Sequence, residues 1–85
     1  MEEPEVCPRL EAFILVNTEP GALWKVAEEA RKIPGVKLAR CVSGRFDVII
    51  HAATANLSWI IARVHGLKGV TKTETLLTLE ANFEP

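Results

Sequence analysis

The chain has 85 residues, 48% of them hydrophobic and 25% charged, with a formal net charge of −1. That length holds one small domain with a limited core, and the composition is that of a folded chain rather than a disordered one. The charge balance lacks the basic excess of a sequence-independent phosphate binder, and the longest apolar run is far too short to span a bilayer.

The first residues, Met1-Glu2-Glu3-Pro4-Glu5, are acidic and unlike a secretory signal, so a cytoplasmic location is expected. Residues 1–9 read as a flexible tail, 10–80 as the domain, and 81–85 as a second short tail. Two cysteines, Cys7 and Cys41, do not make a disulfide framework, and each is expected as a thiol.

Glu11 to Asn17 is short, apolar and rich in strand formers. A helix is expected from about Pro20 to Ile33, with Thr18 as its cap and Pro20 in its first turn. Leu23, Val26, Ala27, Ala30 and Ile33 mark one face of a 3.6-residue period, and Pro34-Gly35 ends it. Val36 to Val42 is a second strand. Ser43-Gly44-Arg45 suits a hairpin turn, and Phe46 to Ala52 is the third strand. Ala55 to Leu67 repeats the helical spacing through Leu57, Ile60, Ile61, Val64 and Leu67, and Thr71 to Glu80 is a fourth strand.

The two halves are copies. Shifting the chain by 34 positions, from Gly35 to Gly69, lays Leu23 on Leu57, Val26 on Ile60, Ala30 on Val64 and Val36 on Val70. Two strand–helix–strand units joined by a hairpin give an α+β, ferredoxin-like βαββαβ fold. It has a four-stranded antiparallel sheet with two helices on one face.

The other face of that sheet is apolar too. Strand 1 gives it Phe13 and Leu15, and strand 3 gives it Ile49 beside Asp47 and His51. Large apolar groups left in water cost about 1.5–3 kcal/mol each. A second copy of the chain is the simplest cover.

The stretch Val42-Ser43-Gly44-Arg45-Phe46-Asp47 holds the sharpest candidate for chemistry. Asp47 at the head of an apolar strand can accept charge-assisted hydrogen bonds from a ligand ammonium group. Equally, it can cap its own turn or pair with Arg40 or Arg45. Thr71, Thr73 and Thr75 line one side of the fourth strand, where hydroxyls can hold a carboxylate; they are also plain strand formers. His51, His65 and Cys41 show no metal-ligand spacing, His65 suits a helix C-terminus, and no nucleophile–base pattern is visible, so neither metal, cofactor nor catalytic residues are expected. Trp24 and Trp59 lie off the apolar stripes, as core edges or as contacts with neighbouring subunits.

These pieces together resemble the ligand-binding and oligomerisation (RAM) domain of Lrp/AsnC transcription regulators. They are Ala12 to Val16 followed by Thr18-Glu19-Pro20-Gly21, then Ile33-Pro34-Gly35-Val36, Val42 to Val48, and Gly69 to Thr75. The resemblance implies homo-oligomers: dimers paired through their sheets and assembled into octamers or decamers. It implies an amino-acid effector bound between dimers, with Gly44, Phe46 and Asp47 shaping the pocket, Asp47 facing the amino group, and Thr71, Thr73 and Thr75 at effector-contacting positions. It also implies a module of transcription regulation or amino-acid metabolism that joins full-length Lrp/AsnC regulators. The helix-turn-helix part of the family is not seen in this sequence, so a stand-alone form without direct nucleic-acid or membrane contact is expected. Arg45 departs from the acidic or neutral residue usual in that turn and bears on ligand preference. The alternatives are a purely structural assembly or adaptor module without ligand, and a small ferredoxin-like enzyme.

Overall fold

The computed structural model describes residues 10–78. The tails expected at 1–9 and 81–85, with Cys7, lie outside the described residues, as do the last two positions of the expected domain. Six elements follow in chain order: β1 (Leu10–Thr18), α1 (Leu23–Ala30), β2 (Val36–Cys41), β3 (Val48–Thr54), α2 (Leu57–His65) and β4 (Val70–Leu77). The strands form one antiparallel sheet in the order β2-β3-β1-β4, with both helices packed on one face. This is the ferredoxin-like α+β fold expected from the pattern.

Alternation decides what each face carries. Ala12, Ile14 and Val16 of β1 and Val48, Ile50 and Ala52 of β3 are fully buried. All of these but Ala12 form one cluster with Val26, Ala27 and Ala30 of α1 and Ile60 and Val64 of α2, the residues that the 3.6-residue period places on the inner stripes. The intervening strand residues point to the uncovered face, where Phe13, Leu38 and Leu76 stand exposed.

The duplication reaches the backbone. Gly35 and Gly69 sit at equivalent points, with φ of 97° and 98°. The carbonyl of Gly35 accepts from the Ala53 amide at 3.0 Å, and that of Gly69 from the Glu19 amide at 2.8 Å. A bulge follows in each half, leaving Lys37 out of the β2–β3 register and Thr71 out of the β1–β4 register. Lys37 and Thr71 are themselves 34 positions apart.

The first helix is shorter than its apolar spacing suggests. Thr18 ends β1 instead of capping α1, because its amide is drawn across the sheet to Asp47. Glu19 to Ala22 then forms a turn closed by the Ala22 amide on the Glu19 carbonyl at 2.9 Å, with Gly21 at φ 85°. The position before the helix is Ala22, which offers no side-chain cap. At the far end, Lys32 and Ile33 donate to carbonyls three residues back, so the last turn tightens out of α geometry.

Candidate functional site

The β2–β3 connection, residues 42–47, is closed by the Val42 amide donating to the Asp47 carbonyl at 2.9 Å. Gly44 takes a φ of 137° within it, and Phe46 is half-buried where the chain re-enters the sheet. The end of β1 holds this turn in place. The Asp47 amide donates to the Val16 carbonyl at 2.9 Å, and the Asn17 side-chain amide donates to the Arg45 carbonyl at 2.9 Å.

Asp47 neither caps its own turn nor pairs with Arg40 or Arg45. Its Oδ2 accepts from the Thr18 amide at 2.8 Å and from the Thr18 hydroxyl at 3.2 Å. Among the described residues nothing donates to Oδ1. The carboxylate is therefore fixed in direction by one oxygen while the other keeps its acceptor capacity. Asn17 and Thr18 carry no local signal for this role, since they lie 28 and 29 positions from the residues they hold.

The threonines separate. Thr71, the bulged residue, donates its hydroxyl to the Asn17 carbonyl at 3.2 Å, so it joins the same end of the sheet as Asp47 from the other side of β1. Thr73 and Thr75 pair with Val16 and Ile14 and so lie on the helix-covered face, whereas Asp47, the last residue before β3, falls on the uncovered one. The Thr73 hydroxyl is also engaged, 2.5 Å from Nε2 of His65 at the end of α2. A concavity of about 120 Å³ lies there, lined by His65, Val70, Thr71, Lys72 and Thr73. One copy thus gathers Gly44, Phe46, Asp47 and Thr71 at one end of the sheet, while Thr73 shares a concavity with Thr71 on the β4 side and Thr75 lies further along β4.

The remaining chemistry-bearing groups are dispersed. Cys41 is a half-buried thiol facing the Leu23 carbonyl at 3.8 Å. Among the described residues no three His, Cys, Asp or Glu side chains converge, and no helix is long and apolar enough to cross a membrane. Trp59 lies under the Arg63 guanidinium at 5.1 Å, and Trp24 is 72% exposed, clear of the core edge.

Among known proteins, an uncharacterized HTH-type transcriptional regulator of Pyrococcus furiosus is 34% identical over 74 residues, which are 79% of this chain and 49% of that one. The chain spans about half the length of the curated relatives it matches. A hypothetical protein of Pyrococcus horikoshii has a similar structure with a TM-score of 0.78 at 27% identity, covering 86% of this chain and 93% of its own. A transcriptional regulator of Neisseria meningitidis, solved as its L-Met complex, shares the fold with a TM-score of 0.75 at 22% identity, over 99% of this chain and 59% of its own. The family model of the Lrp/AsnC ligand binding domain matches residues 11–84. The duplicated ferredoxin-like fold and that match together place the chain in the Lrp/AsnC ligand-binding domain family, a family of transcription regulators.

Proposed function

We propose that the chain binds an amino-acid effector at the turn end of its sheet and assembles into homo-oligomers. It serves there as a module of transcription regulation or amino-acid metabolism and catalyses no reaction. The observation that carries this reading is the half-engaged Asp47 carboxylate: Thr18 aims it, and Oδ1 is left for a charge-assisted bond to an ammonium group. Gly44 and Phe46 belong to the same turn, Thr71 reaches the same end of the sheet through the Asn17 carbonyl, and a second pair of sheets supplies the missing wall, with Thr73 and Thr75 contributing where copies meet. The Neisseria regulator's L-Met complex supports an amino acid as the ligand class. The domain occupies residues 10–80 and acts in the cytoplasm, as dimers built into octamers or decamers and alongside full-length Lrp/AsnC regulators.

A second reading, a structural assembly module without ligand, draws on the engagement of two candidate ligand groups inside the chain. These are Oδ2 of Asp47 with Thr18, and the Thr73 hydroxyl with His65. Isothermal titration against the twenty amino acids separates the two. Asp47→Asn keeps an oxygen for the Thr18 amide while removing the charge, so it is expected to weaken the best-binding amino acid by about tenfold or more and to leave the fold intact. An intact oligomer that binds none of the twenty leaves only the structural reading.

A further inference from the structure

The duplication gives the sheet two equivalent edge grooves, each between the end of a helix and an edge strand. The 34-residue shift carries Arg31, Val36 and Ala39 of one onto His65, Val70 and Thr73 of the other. Even the contact across the groove is kept. Arg31 donates from Nε to the Ala39 carbonyl at 3.1 Å, and Nε2 of His65 meets the Thr73 hydroxyl. The chemistry has diverged. The β4 groove, about 120 Å³, mixes His65 and Lys72 with threonines, and Glu74 follows on the strand. The β2 groove is about 350 Å³ and is lined by Arg31, Lys37 and Arg40, with no carboxylate among the described residues. Arg40 is the counterpart of Glu74.

β2 is an edge strand, and alternation decides which of its backbone groups the sheet uses. The Val42 amide bonds inward to Asp47, so Arg40 and Leu38 also bond inward, to β3. The amide and carbonyl of Ala39 therefore point out of the sheet. The carbonyl gives one lone pair to Arg31 and keeps a second, and the amide has no partner within the sheet. An extended segment laid antiparallel to β2 can take both. Its side chains then meet Arg40 on the uncovered face, Arg31 beside Ala39 on the helix side, and Lys37 at the bulge. A second β2 does not fit there, because its own cations would face these. The edge suits one carboxylate opposite Arg40, the next opposite Ala39 and, one residue skipped, a third at Lys37. The skipped residue, opposite Leu38, turns its nitrogen to solvent, so proline fits there.

Glu2-Glu3-Pro4-Glu5 has that order of side chains. We infer that the β2 edge takes Glu2 to Glu5 of a second copy as an added antiparallel strand. Glu2 meets Arg40, Glu3 meets Arg31, Pro4 lies by Leu38, and Glu5 meets Lys37. The same copy does not reach. The five steps of chain from Glu5 to Leu10 span at most about 18 Å. The outer side of β2 lies three strand spacings from β1, about 14 Å, with β3 and β2 in the path. Leu10 pairs with Thr54, beyond the Val36–Ala52 pair that starts β2, so the detour round the strand ends exceeds that span. Main-chain bonds hold a strand added in this way, and the charges set its register and direction.

This inference deepens the homo-oligomer proposed above, and the test separates the two. Amide hydrogen exchange is followed by NMR in the full chain and in Glu2→Gln/Glu3→Gln/Glu5→Gln, at high and low protein concentration, with sedimentation alongside. At high concentration the Ala39 amide is expected to exchange about tenfold or more slowly in the parent than in the triple variant. The Arg40 amide, which bonds to β3, is expected to exchange alike in both. Arg40→Glu is expected to speed Ala39 as the triple variant does, and dilution to remove the difference. Equal rates at Ala39 in an associated chain overturn the edge pairing and leave the homo-oligomer standing. A difference that persists in the diluted monomer assigns the strand to its own copy and overturns the pairing between copies. A chain that is monomeric at every concentration overturns both.

Discussion

Gly69 shows how a single atom constrains this chain. A Cβ built there falls 2.8 Å from the Ala22 Cβ and 3.4 Å from Val26, on a backbone at φ 98°. At the equivalent Gly35 the clash is 2.7 Å, but with Cδ1 of Ile60, the far end of a side chain that can rotate away. Both alanine variants pay the left-handed strain of about 1–2 kcal/mol. Only Gly69→Ala also pushes on a neighbouring backbone, so it is expected to cost about 2–4 kcal/mol and more than Gly35→Ala, as read from urea unfolding at one protein concentration. At the site, Asp47 was legible in sequence because a carboxylate between a Gly turn and an apolar strand is unusual. Its partner was not: Thr18 lies 29 positions away and itself reads as a helix cap. That competition for one residue was won by the long-range bond, because β1 runs on to Thr18 and carries its amide past Asp47. Asp47→Ala removes both of these bonds and is expected to destabilise the fold by about 1–3 kcal/mol.

Among the elements, those with strong periodicity were legible and their ends were not. The 34-residue repeat predicts that α2 starts where α1 does, and both begin at the equivalent leucines, Leu23 and Leu57. Their first turns nevertheless differ, because the repeat preserves the apolar stripe and not the residues before it. Asn56 accepts the Trp59 amide at 3.3 Å and its own amide donates to the Thr54 hydroxyl at 3.0 Å, whereas Ala22 does neither. Asn56→Ala is expected to cost about 1 kcal/mol in chemical denaturation. Ala22→Ser should gain little, because Ala22 has φ −97° and ψ −7°, away from the extended backbone that lets a cap side chain reach forward. The bulges at Lys37 and Thr71 were not foreseen either. They arise because each strand must leave a crossover that ends in a positive-φ glycine and re-enter register within a few residues.

At the scale of the whole molecule, the core is thin. Five of the fourteen buried hydrophobic residues described are alanines, Ala12, Ala27, Ala30, Ala39 and Ala52, which bury little side chain. Meanwhile Phe13, Leu38 and Leu76 stay 37–47% exposed on the uncovered face. In a chain of 85 residues built this way, whatever covers that face adds to a small core, and a second copy there would link folding to assembly through concentration. If copies cover one another, a hundredfold rise in concentration favours the folded dimer by about 2.7 kcal/mol and should raise the thermal midpoint by about 5–10 °C. Leu15→Lys isolates the effect. Leu15 lies at the centre of the face and pairs across the sheet with Glu74, so the new ammonium finds a partner within its own copy and the folded monomer is preserved. A second copy seated on this face would take the same ammonium out of water. The variant should therefore sediment as a monomer with native circular dichroism, and its midpoint should no longer move with concentration. A Leu15→Lys chain that remains dimeric, or a parent midpoint that is flat over the hundredfold range, would mean that the exposed face is not where this protein gains its missing burial.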